Sequence, residues 1–354
     1  MSTLYYSRLD TLRFIAFFLV FWQHGFAPVF DSISFLDSET VKSFTMTGGH
    51  GVHIFFVLSG FLITLLLLKE YQFNGFISIK NFYIRRTLRI WPLYYLMMIT
   101  GVYILPNLFN TIQFCGSPIY SLTFLNNFDV HPECTTSVGM AWSVAIEEQF
   151  YLVWPLIFML LIRKPVILII FCFLLLILSL CYNYGYPISS YFHTFGNIIY
   201  LMTGCLGAIL FVKKNEFITK KKWMNKGTFF LSLILIFVIV AMRISFAEFI
   251  LPVIYIYIVI YLVVMEDHSK RINVFSRLGK YTFGMYMYHP TLILLFKIAF
   301  DKLGYDYHEN KGAHALMAIL VLVSTIAISW VSYEFFEKKI LQFKSQFASI
   351  KTRV

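Results

Sequence analysis

Leu9 to Phe26 reads LDTLRFIAFFLVFWQHGF, and this stretch decides the class of the chain. It is an apolar run of membrane-spanning length broken by two ionisable side chains, Arg13 near one end and His24 well inside. Eleven residues at 3.6 per turn make about three turns, which sets both groups on one helix face, roughly 16 Å apart along the axis. Ionisable groups within a span are costly and normally face a protein interior or a watery cavity. The pattern therefore points to a site that takes a charged ligand at one end and does proton chemistry deeper in. The plainer reading, a snorkelling rim arginine and a packed histidine, stays open on this stretch alone.

The rest of the composition agrees with a membrane protein. The 354 residues are 59% hydrophobic and 13% charged, with a mean hydropathy of +0.72, against about 25% charged in soluble domains. Spans of roughly 20 residues are read at about 11–30, 50–69, 89–107, 142–162, 165–182, 196–212, 228–243, 248–265, 282–300 and 313–333. No polar stretch is long enough for a separate soluble domain, and no signal-peptide pattern precedes the first run. The fold class is thus all-α and polytopic, about ten helices around a central cavity, over residues 1–340, with 341–354 a short cytoplasmic tail. All but Lys42, Arg243, Lys297, Lys302 and Lys311 of the 29 lysines and arginines fall on one side of that layout. The positive-inside rule then gives cytoplasmic N- and C-termini. The net charge of +11 is a topology signal with anionic lipids as its partner, and no nucleic-acid partner is implied.

Four further stretches carry chemistry. GGHGVHIFFVLSGFLIT (48–64) opens the second span with small residues that permit close helix approach, and with His50 and His53 on its outer end. Two histidines without a third ligand at suitable spacing read as a polar cavity lining; no metal site is expected. FYIRRTLRIWPLYY (82–95) sets Arg85, Arg86 and Arg89 before Trp91. Such a cluster is either positive-inside anchoring or a phosphate-binding patch, in which guanidinium forks hold oxygens and the indole stacks on a base. AWSVAIEEQFYLVWP (141–155) holds the adjacent carboxylates Glu147 and Glu148, with Ser143, Glu147 and Tyr151 on one face at i, i+4, i+8. Paired acids at this depth need partners from other helices, the candidates being His24, Arg13 and the second-span histidines. LGKYTFGMYMYHP (278–290) carries His289 into the ninth span, followed by a proline that frees backbone carbonyls. Glu334 and Glu337 close the last span as interfacial anchors. Cys115 and Cys134, in the longest outer loop, are expected to pair in an oxidising compartment; Cys172, Cys181 and Cys205 read as buried thiols.

Taken together, and in this order, Arg13-x10-His24 and these blocks, with a terminal FEKKI, resemble the acyltransferase 3 family of membrane acyltransferases over essentially the whole chain. One departure is His53, where many relatives carry an aspartate. The chain also looks like the stand-alone form, without a fused extracytoplasmic domain. The resemblance implies an enzyme of a bacterial plasma (inner) membrane that transfers an acyl group, usually acetyl, from cytoplasmic acetyl-CoA to a sugar hydroxyl. The acceptor would be a glycan or glycolipid such as lipopolysaccharide O-antigen, exopolysaccharide or peptidoglycan. Acetyl-CoA enters as substrate, and no tightly bound cofactor is implied. Arg13, Arg85, Arg86, Arg89 and Trp91 would hold the CoA, and His24 would act as general base or acyl carrier. Glu147 or Glu148 would orient His24 or bind the acceptor, with His50, His53, Ser143, Tyr151 and His289 lining the cavity. The alternative is a proton-coupled transporter or flippase with His24, Glu147 and His289 as a relay, against which stands the lack of any inverted repeat.

Overall fold

The computed structural model describes residues 5–27, 45, 47–109, 112–131, 136–187, 190–213, 224–242, 244, 247–266, 273–305 and 310–347. Among these it is helical, without strands. The principal elements are α1 (Ser7–Phe21), α2 (Gly48–Asn74), α3 (Ile79–Ile99), α4 (Ala141–Leu161), α5 (Pro165–Gly185) and α6 (Thr194–Lys213). They continue with α7 (Lys226–Ala241), α8 (Ala247–Val264), the short α9 (Val274–Gly279), α10 (Thr282–Lys302), α11 (Lys311–Ser332) and α12 (Lys338–Lys344). Three π turns extend this set: Trp22–Phe26 ends α1, Thr100–Ile104 prolongs α3 into Leu105–Leu108, and Tyr333–Glu337 joins α11 to α12.

Each span expected from the sequence has a helix, and eight of these helices are long and apolar enough to cross a membrane. The other two fall short for different reasons. α1 carries Arg8, Asp10 and Arg13 in its first half, and α7 has 16 residues against the roughly 20 a span needs. Local signals set the ends. Ser78 caps α3 by accepting the Asn81 amide, Asn225 and Thr228 form a capping box on α7, and Gly75, at φ 78°, stops α2 in the left-handed region that favours glycine.

α2, 27 residues long, is the central post. It packs against α1 and α6, and 72% of its most apolar window is buried, against 17% for α5 at the periphery. That position explains Cys181, which lies exposed on α5 rather than buried; Cys172 and Cys205 are buried free thiols. The α2–α6 seam is set by glycine. A β-carbon on Gly60 would meet the Leu201 carbonyl, and one on Gly204 the Val57 carbonyl. Without hydrophobic drive between helices in lipid, such backbone approach is what packing energy rests on. The helix after the last π turn also differs from the expected layout, because α12 runs past residue 340 and folds back against α3.

Candidate functional site

At the end of the bundle where α1 and α3 begin and α2 ends, the helices enclose a cavity of about 280 Å³. Four arginines line it, Arg13 from α1 and Arg85, Arg86 and Arg89 from α3. The i, i+1, i+4 spacing on α3 sends all three of its guanidinium groups toward one side, about 6 Å of rise from first to last. The stretch that read as either an anchor or a phosphate patch therefore turns inward.

Two of the four are compensated. Arg13 is paired with the buried Asp10 one turn earlier. Arg85 donates to Glu70 Oε2 at 2.9 Å and to the Phe347 carbonyl at 2.5 Å; Glu70 in turn accepts the Ser78 amide at the α3 cap. Arg86 and Arg89 form no ion pair among the described residues. Arg86 instead lies over the rings of Tyr151, at 5.4 Å, and Phe82, at 5.7 Å, while Arg89 is open to the cavity. A cation within a span costs about 3 kcal/mol by insertion scales, so two guanidiniums without an ion-pair partner among the described residues could hold an anionic ligand.

The far wall is built by α4. Ser143, Glu147 and Tyr151 all face the cavity, as the four-residue spacing requires. Glu147 accepts from Ser59 at 2.7 Å and from Tyr151 at 2.8 Å. Glu148, one residue on, points about 100° away and accepts the Trp91 indole N–H at 2.8 Å. Both carboxylates thus find hydroxyl or indole donors rather than an imidazole. Trp91, 38% exposed, lies outside the cavity lining, on the face of α3 opposite the arginines. Glu337, expected as a surface anchor, is 9% exposed and part of the cavity wall, accepting from Ser332 at 3.2 Å. The π turn holding it rotates the last turn of the helix inward. Outside the spans, Lys280 is ion-paired with Glu334 at 2.9 Å. Burial pulls its pKa down, but the bonds to Tyr281 and Glu334 outweigh that and raise it.

The cavity floor is Tyr286 of α10, whose hydroxyl meets Ser143 Oγ at 2.7 Å. Directly beyond stands His289, its ring centroid 5.7 Å from that of Tyr286 and 5.5 Å from that of His24. Phe17 and Phe21, both fully buried, close around the same imidazole. Arg13, Phe17, Phe21 and His24 thus form one stripe of α1, with a double phenylalanine layer between the cationic and imidazole ends. His24 does not line the cavity. His289 Nδ1 lies 2.9 Å from the Tyr286 carbonyl, which Pro290 helps keep available. The proton therefore sits on Nδ1, and Nε2 presents a lone pair. That Nε2, and Nδ1 of His24, are buried without a hydrogen-bond partner among the described residues. Two imidazoles with open nitrogens thus stand side by side behind a cationic cavity. His24 sits in the π turn Trp22–Phe26, a geometry frequent at functional sites.

His50 and His53 are elsewhere, at the opposite end of α2. His50 Nδ1 pairs with the Tyr255 hydroxyl at 2.9 Å, and His53 stacks on Tyr200 at 3.9 Å. Cys115, in the outer loop, is disulfide-bonded; Cys134 lies outside the described residues. No group of three or more His, Cys, Asp or Glu able to hold a metal occurs among the described residues. Tyr286 was missed by the sequence reading. Its place three residues before His289 was the available signal.

Residues 6–334 match the family model described as an acyltransferase domain. Among curated proteins the chain is similar to the putative peptidoglycan O-acetyltransferase YrhL of Bacillus subtilis, 28% identical over 82% of this chain and 50% of that protein. It is also similar to the peptidoglycan O-acetyltransferase OatA of Listeria monocytogenes, 36% identical over 36% of this chain and 23% of that protein. A putative O-acetyltransferase of Staphylococcus aureus (strain COL) is 40% identical over 32% of this chain and 20% of its own length. The match thus spans half or less of each of these relatives. No solved structure matches the chain.

Proposed function

The chain belongs to the acyltransferase 3 family, and from that membership we propose that it transfers an acyl group, acetyl in the first instance, from cytoplasmic acetyl-CoA to a hydroxyl of a cell-surface glycan. The observation that carries this reading is the pair Arg86 and Arg89, guanidiniums without an ion-pair partner among the described residues, in a cavity whose floor adjoins the His24–His289 pair. A phosphate-bearing thioester supplies what each end lacks: anionic oxygens for the arginines, and a carbonyl for attack near the imidazoles. The relatives' printed names favour a peptidoglycan-type acceptor over lipopolysaccharide or exopolysaccharide. A proton relay would have no use for unpaired arginines, so the transporter reading is set aside.

His24 is the general base. As the acceptor oxygen attacks the thioester carbonyl, His24 takes the hydroxyl proton; the tetrahedral intermediate then expels the CoA thiolate, which recovers that proton from the imidazolium. His289, its Nδ1 proton held by the Tyr286 carbonyl, offers Nε2 to steady the neighbouring imidazolium. Because the cavity ends at Tyr286, the pantetheine arm reaches the imidazoles only if the Tyr286–Ser143 contact opens. Glu147 acts within the donor cavity rather than as the orienter of His24. Orientation follows from the basic end being cytoplasmic, with the disulfide-bonded Cys115 at the far, oxidising face.

Inside-out membrane vesicles given radiolabelled acetyl-CoA and host glycans test this reading. Label should enter a glycan fraction with wild type and not with His24→Ala. Equal labelling by both removes His24 as the base; no label from folded wild type with acceptor present removes the acyltransfer reading.

A further inference from the structure

The residues on either side of His24 are tied to two other helices. Gln23 reaches α2, where its Oε1 accepts the Gly48 amide at 2.7 Å. That amide opens α2, and Thr47 ahead of it makes no side-chain cap bond, so the glutamine supplies an acceptor that the start of a helix lacks. The fit is close, since a β-carbon on Gly48 would lie 2.7 Å from the same oxygen. On the other side of His24, the Gly25 carbonyl meets Nε2 of the buried His314, in the first turn of α11, at 3.2 Å. A carbonyl only accepts, so that nitrogen carries the proton and donates it.

Both bonds are made by the π turn Trp22–Phe26, from which His24 projects. π geometry is rare in helices, and relaxation of this turn to α geometry would change the direction in which His24 leaves the chain. Its ring now stands 5.5 Å from that of His289, centroid to centroid. A misplacement of about 1 Å between reacting groups can cost about 10²-fold in rate. Ties to α2 on one flank and α11 on the other hold the turn without engaging the imidazole itself.

We infer that Gln23 and His314 are positioning residues for the transfer step: on the reading of His24 as the base given above, they clamp the turn around it and keep its imidazole beside His289. Neither lines the donor cavity. The clamp therefore bears on the chemical step and leaves donor binding alone.

The test compares transfer rates in inside-out vesicles holding the full-length protein, with radiolabelled acetyl-CoA as donor and the enclosed host glycan as acceptor. His314→Phe, which fills the space but cannot donate, should lower kcat about ten-fold and leave the KM for acetyl-CoA unchanged. Gln23→Leu should do the same from the other flank. His314→Gln, whose side-chain amide can donate to the Gly25 carbonyl, should recover most of the loss and guards against a folding defect in the phenylalanine variant. Ser179→Ala is the control: it removes another buried bond between helices, Oγ to the Gly196 carbonyl at 3.1 Å on the α5–α6 seam, and should cost stability without changing kcat. Wild-type kcat in His314→Phe and Gln23→Leu, with His24→Ala inactive, would overturn the inference and leave the base reading standing. Loss of kcat in Ser179→Ala equal to that in His314→Phe would reduce the clamp to general stability and overturn it as well. Full activity in His24→Ala would remove the base reading and the clamp with it.

Discussion

At the scale of single residues, the proposed function puts the division between binding and chemistry at Tyr286. Arg86 and Arg89 lie on the cavity side of it, His289 and His24 on the other. Removing a group beyond the floor should therefore slow the chemical step without weakening donor binding. His289→Gln is expected to lower kcat about 10²-fold, the low end for a proton-handling group, with the KM for acetyl-CoA unchanged; a raised KM at constant kcat would place His289 in donor binding instead. Arg89→Ala should do the reverse, raising KM about ten-fold or more, since a charge-assisted bond to phosphate contributes about 1.5–3 kcal/mol. That the arginines of α1 and α3 and the histidines of α1 and α10 turn inward was legible in the sequence, because ionisable groups in a span demand an explanation. Which partner each carboxylate takes was not. Glu147 and Glu148 are neighbours in sequence yet face different partners, Tyr151 and Trp91, because one residue of a helix turns about 100°.

At the scale of elements, the site depends on how closely α2 approaches α6 and α1. The Gly60 position leaves no room for a β-carbon against the Leu201 carbonyl, and a backbone oxygen cannot move aside as a side chain can. Gly60→Ala should destabilise the fold by about 1–3 kcal/mol, as overpacking does, and lower the melting temperature in detergent. Gly185→Ala, at a position with nothing within 4 Å, is the control and should change little. Equal effects from both would mean that the α2–α6 seam is not the tight contact. The small residues of 48–64 announced close packing, but not against which helix. The π turns at Trp22–Phe26 and Tyr333–Glu337 had no such announcement, since an inserted residue changes the phase without changing the residue types.

For the whole molecule, the asymmetry of lysine and arginine orients the bundle. Both termini are expected in the cytoplasm, so a C-terminal green fluorescent protein fusion should fluoresce and an alkaline phosphatase fusion at the same point should be inactive; the opposite pair would invert the chain and put the cationic cavity out of reach of cytoplasmic CoA. The same orientation sets the Cys115 loop at the outer face, and with it the His50–Tyr255 and His53–Tyr200 contacts at the far end of α2.

The sequence by itself determined the membrane class, the all-α fold, the near positions of the spans and the inventory of charged groups buried in them. Each of these follows from the cost of placing backbone or charge in hydrocarbon, which acts on a segment wherever its neighbours are. The tertiary structure alone decided that His289 rather than a glutamate stands beside His24, that Tyr286 closes the cavity short of both, and that α12 folds back to place Lys344 among the arginines. Those outcomes depend on which helices touch and at what rotation, and packing between helices is settled by shape across the seam, of which any one segment carries only half.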